Sequence, residues 1–166
     1  MQRENLINVL MYVFENYYEP GHFIDTKTKH ITEDMLKAGF EEKSIAQALL
    51  WFKELNATKK AFQTHKNFLG KTSFRVLTHF EDNKMTAEAR SGLLFLEQIG
   101  IVDPLTREII LDRAMTLAQP VIDLQELKWI TLMVLFSQKR KRHELMLTES
   151  LILHTGFFTG NETICH

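Results

Sequence analysis

The sequence predicts a mainly α-helical fold, with an N-terminal winged helix-turn-helix-like unit carrying a short β-hairpin, followed by a C-terminal helical bundle. Three observations lead there. Apolar residues recur at helical spacing along most of the chain and are punctuated by capping residues. That periodicity lapses between residues 56 and 80, where a loose alternation replaces it. Residues 127–136 (LKWITLMVLF) are apolar almost all round, the pattern of a helix covered on every side. The division falls near residue 80, giving residues 1–80 and 81–166 as two parts sharing one core.

The first helix is expected over residues 3–18, where Leu6, Ile7, Val9, Leu10, Val13, Phe14 and Tyr17 line one face before Pro20 and Gly21 stop it. Thr32 reads as the N-cap of a short second helix, with acidic residues in its first turn and Gly39 as its C-cap. A third helix over residues 42–55 carries Ile45, Ala48, Leu49, Phe52 and Leu55. Residues 72–78 (TSFRVLT) then read as a half-buried strand, with Gly70 able to supply a turn, so residues 56–80 are expected as a hairpin or wing. Thr86 caps a helix closed by Gly100. Asp103 followed by Pro104 starts another, running to about Leu117, because proline at the first helical position gives up no needed donor. Asp123 and Glu126 form a capping box for the central apolar helix, and a last helix covers residues 142–154.

Composition narrows the function classes. Lys plus Arg number 20 and Asp plus Glu 21, a formal net charge of -1, so no global field draws the chain to nucleic acid or anionic lipid. Its single cysteine, Cys165, can form no internal disulfide, which fits a reducing compartment. The N-terminus lacks the basic-then-apolar order of a signal peptide, and no apolar run approaches the ~20 residues that span a bilayer. A cytoplasmic protein that does not enter the membrane is expected.

No catalytic, cofactor-binding or metal residues stand out. The seven histidines, His22, His30, His65, His79, His143, His154 and His166, include no ligand pair at helical spacing, and one cysteine builds no zinc site. Phosphate loops, nucleophile elbows and dinucleotide fingerprints are missing from the sequence, which gives enzyme activity no support. Two binding patterns remain. Stepping about 100° per residue from Ile45 puts Lys43, Gln47, Leu50 and Glu54 on the outer face of the third helix. Lys43 and Gln47 suit a groove-reading helix, whereas Glu54 repels phosphate and Leu50 with Trp51 adds apolar surface. The following stretch holds Lys59, Lys60, Lys66, Lys71 and Arg75 between Leu55 and Glu81 with no acidic residue, interleaved with Phe62, Phe68, Phe74 and Phe80. Cations alternating with aromatic rings can hold a phosphate backbone while bases stack. The competing reading pins the phenylalanines to the core and leaves the lysines in water. Lys139, Arg140, Lys141 and Arg142 form a second basic cluster, more than a helix C-terminus needs to balance its dipole.

Five segments carry a resemblance: residues 6–15 (LINVLMYVFE), 31–39 (ITEDMLKAG), 92–98 (GLLFLEQ), 106–115 (TREIILDRAM) and 127–136 (LKWITLMVLF). Together and in this order they resemble the Smg family of small proteobacterial cytoplasmic proteins. The family's biochemical function is unassigned, so the resemblance implies no catalytic residues. The expectation is a non-catalytic protein-interaction module using Leu50 and Trp51 against an unknown protein partner. The alternative is DNA or RNA binding through Lys43, Gln47, the basic wing and the second basic cluster.

Overall fold

A long helix, α3 (Glu42–Thr64), runs along the N-terminal half, and a buried one, α7 (Leu124–Ser137), runs through the C-terminal half. The computed structural model describes residues 5–18, 29–64, 75–138 and 142–154, the side chains of Arg142 and His154 excepted. The other helices there are α1 (Leu6–Tyr17), α2 (Lys29–Lys37), α4 (His79–Lys84), α5 (Ala87–Gln98), α6 (Pro104–Met115) and α8 (Arg142–His154).

Local chemistry explains most of the boundaries. Asn5 caps α1, its side-chain oxygen accepting from the Ile7 amide at 3.3 Å. In α2 the helix begins ahead of Thr32, so the expected cap lies inside the helix. The two glycines with positive φ, Gly39 at 96° and Gly100 at 82°, close α2 and α5 in the same way. At the first, Gly39 N donates to Leu36 O and Phe40 N to Met35 O; at the second, Gly100 N donates to Glu97 O and Ile101 N to Leu96 O. This paired pattern satisfies the last helical carbonyls and requires a left-handed residue, which glycine adopts without strain. Asp103 caps α6 by accepting from Thr106 N at 2.7 Å. Asp123 and Glu126 form the expected capping box on α7. α6 stops at Met115, a little before the expected Leu117.

The expected winged helix-turn-helix unit and its β-hairpin are not present among the described residues. Among the described residues every regular element is helical, and β pairing is confined to an isolated parallel bridge between Met85 and Ile122. Residues 56–64, expected in the wing, instead continue α3 as helix. Residues 75–78 form no strand, and Thr78 caps α4 through a second capping box with Glu81. Residues 65–74 lie outside the described residues. The physical reason is composition: Ala57, Lys59, Lys60, Ala61 and Gln63 are strong helix formers. They project largely into solvent, so no apolar stripe marks the continuation.

Packing ties the two halves together. α1 packs on α3 and α7, α2 packs on α3, α3 packs on α6, and α7 packs against α5, α6 and α8. One cluster of buried side chains runs through these elements, from Val9 and Leu10 through Trp51, Phe52 and Ile110 to Ile130 and Leu132. The carbonyls at the C-terminal end of α7 are capped from the N-terminal half. The Tyr18 hydroxyl donates to Phe136 O, and the Lys59 ammonium donates to Ser137 O. Lys84 does the same for α6, donating to Met115 O at 2.9 Å and to Leu117 O. Burial holds the Lys84 ammonium below its ordinary range.

Candidate interaction groove

Leu50 and Trp51 are adjacent in α3 and point to different environments. Trp51 is buried, 3% exposed, against α6. Its indole Nε1 donates to Arg113 O at 3.3 Å, and the Arg113 guanidinium lies 5.8 Å from its ring centre. Leu50 is 52% exposed. It borders a cavity of about 530 Å³ whose α3 wall is Gln47, Leu50, Trp51 and Glu54. Asn5 and Leu6 at the start of α1 form a second wall, and Thr116, Ala118, Gln119 and Pro120 between α6 and α7 form the third.

The polar groups of the groove are anchored. Glu126 Oε1 accepts from Gln119 Nε2 at 2.8 Å and from Asn5 Nδ2 at 3.4 Å, linking two walls. Thr116 Oγ1 donates to Arg113 O at 2.7 Å. Arg113, 6% exposed at its side chain, pairs with Glu54 Oε2 at 3.2 Å and Asp112 Oδ2 at 2.9 Å. Thr58 Oγ1 donates to Asp112 Oδ2 as well, at 3.3 Å. Leu6, Leu50, Ala118 and Pro120 thus supply apolar lining, and Asn5, Gln47, Glu54, Thr116 and Gln119 supply polar groups.

The residues singled out in the sequence are distributed unevenly. Gln47, Leu50 and Trp51 converge on the groove, and Lys43 is exposed on the same helix ahead of Gln47. Lys60 is exposed further along α3, while Lys59 caps α7. Arg75 donates to both oxygens of Glu81, at 2.9 and 3.1 Å, and pairs through Nε with Glu108 at 3.0 Å. Glu108 also pairs with buried Arg107, which reaches Glu97, so Arg75 links Glu81 into a chain of alternating charges across α4, α5 and α6. Burial alone would raise the Glu81 carboxyl, but the bonds from Arg75 and Thr78 outweigh it and hold Glu81 below its ordinary range. Lys66, Lys71, Lys139, Arg140 and Lys141 lie outside the described residues, as does the side chain of Arg142. Sequence reading missed Asn5 and Gln119 as groove residues and Arg113 as the partner of Glu54. Only tertiary contact joins them, and no periodicity marks it.

Among the described residues no group of three or more His, Cys, Asp or Glu side chains could hold a metal ion. No described helix is long and apolar enough to cross a membrane.

Comparison with known proteins places the chain. The family described as "Protein of unknown function (DUF494)" matches residues 6–157. A protein named "Protein Smg homolog" from Vibrio parahaemolyticus is 34% identical over 163 residues, covering 97% of this chain and 99% of that protein. The protein of the same name from Coxiella burnetii is 36% identical over 154 residues, 92% of this chain and 95% of the relative. That from Shewanella loihica is 36% identical over 132 residues, 80% and 84% of the two chains. No solved structure matches. With a family match running from the start of α1 past the end of α8, and relatives alike over almost their full length, the chain belongs to the DUF494 family, that of the Smg homologues.

Proposed function

We propose that this Smg-family chain is a non-catalytic protein-interaction module that docks a partner polypeptide in the groove beside α3. The observation that supports it is Leu50, a large aliphatic side chain left half exposed on the lip of a cavity whose anchored walls come from three parts of the chain. Covering the exposed part of such a side chain is worth roughly 1 kcal/mol, and Leu6, Ala118 and Pro120 add apolar lining beside it, while buried Trp51 holds the α3 wall in place.

Nucleic-acid binding is the competing reading. Lys43, Gln47 and Lys60 are exposed on α3, but Glu54 shares that helix's outer face. Lys59 and Arg75 have protein partners that a phosphate would have to displace. The groove reading therefore has the better physical support.

The test uses immobilised wild-type chain beside its Leu50→Asp and Leu94→Asp variants, Leu94 being 51% exposed on α5, away from the groove. Nuclease-treated cell extract is passed over each. The reading expects a defined protein retained by the wild type and by Leu94→Asp and lost from Leu50→Asp, whose circular dichroism stays unchanged. Retention indifferent to Leu50, or binding to labelled RNA or DNA that Leu50→Asp leaves intact, overturns it.

A further inference from the structure

We infer that the groove selects a cationic amphipathic segment, one that sets an apolar side chain on Leu50 and a lysine or arginine against Glu54. This rests on the reading of the groove as a docking surface and adds its charge preference. Glu54 lies one helical turn beyond Leu50 on the same face of α3, so a single bound segment can touch both.

Charge complementarity fixes the sign. The buried Arg113 guanidinium is shared by two carboxylates, Glu54 and Asp112, whose side chains are 48% and 42% exposed. One cation between two anions leaves a net negative charge around Glu54, the member of the three that lines the groove. On the opposite wall the partners of Glu126 Oε1 are the neutral amides of Asn5 and Gln119, which do not cancel its charge. Lys43, the exposed cation on this face of α3, lies a turn before Gln47, at the far end from Glu54. An occupant with a cation near Glu54 meets complementary charge, reinforced by Asp112 behind Arg113, while an acidic one is repelled there. Rim charges of this kind choose among partners and orient them while apolar contact supplies affinity.

A random peptide library displayed on phage, selected on the full chain and counter-selected on Leu50→Asp, tests both layers separately. The expected Leu50-dependent binders carry Lys or Arg about one helical turn from a large apolar residue. Glu54→Gln and Asp112→Asn each weaken them by up to about fivefold, the scale of an exposed ion pair, and added salt reduces that loss. Leu50-dependent binders without cations, or enriched in Asp and Glu, overturn the charge preference and leave the docking groove standing. A selection that returns no Leu50-dependent binder overturns both.

Discussion

Neighbouring residues of α3 separate the work of folding from that of binding. Trp51 fills the seam between α3 and α6, and truncating it to alanine removes a buried ring and two contacts to Arg113. Trp51→Ala should destabilise the protein by about 3–5 kcal/mol in urea unfolding. Leu50→Asp alters a half-exposed position on the outer face of α3 and should shift stability by no more than about 1 kcal/mol. Glu81 supplies a pH dependence. Its folded carboxyl lies below the ordinary 4.5, so in the acid range the unfolded chain binds the proton more readily than the folded one. The stability it contributes is complete above that value and is lost as pH falls through the lower folded one. Glu81→Gln should cost about 1–3 kcal/mol near neutral pH and flatten the acid limb of a stability–pH curve. A parallel drop in both proteins down to low pH would contradict this. Leu50's outward direction could be read from the sequence, because helical stepping from Ile45 places it opposite the stripe. The partners of Arg75 could not: Glu108 is far along the chain and reaches it only through packing of α4 on α6.

At the scale of elements, most boundaries with a chemical marker were legible, Thr32 inside α2 being an exception, and those without one were not. Asp103 with Pro104, Thr86, the Asp123–Glu126 box, Gly39 and Gly100 all act where their residue types suggest. The continuation of α3 past Leu55 was hidden because its alanines, lysines and glutamine carry no buried stripe. Periodicity reports burial, and only propensity marks an exposed helix. The alternation seen at residues 72–78 had a different cause near its end, where Thr78 serves as a cap for α4 and Val76 is exposed. Gly39 gives a direct check on the closing turn of α2. A Cβ there would meet no atom within 4 Å, so the cost of alanine is that of the left-handed backbone alone. Gly39→Ala should lower stability by about 1–2 kcal/mol, and Gly39→Asn by less, as read by thermal denaturation. Equal losses in both would point to a steric cause instead.

For the whole molecule, α7 is the common support. It touches α1, α5, α6 and α8, and its last carbonyls take donors from Tyr18 and Lys59 in the N-terminal half. Because buried side chains form one cluster across both halves, unfolding should be a single transition by tryptophan fluorescence and by helical circular dichroism. Ile130→Ala, which opens a cavity at the centre of that cluster, should shift both signals together by about 2–5 kcal/mol. Separated transitions would mean two independent cores. The same packing builds the groove, since its walls come from the start of α1, the outer face of α3 and the α6–α7 connection. The claim that this groove is where a partner docks is tested most directly by a photo-crosslinking amino acid placed in turn at Gln47, Leu50, Leu94 and Met146, followed by irradiation of living cells. A discrete protein adduct is expected from Gln47 and Leu50 and none from the comparably exposed controls on α5 and α8. Adducts that form alike at all four positions, or that consist of nucleic acid, would contradict it.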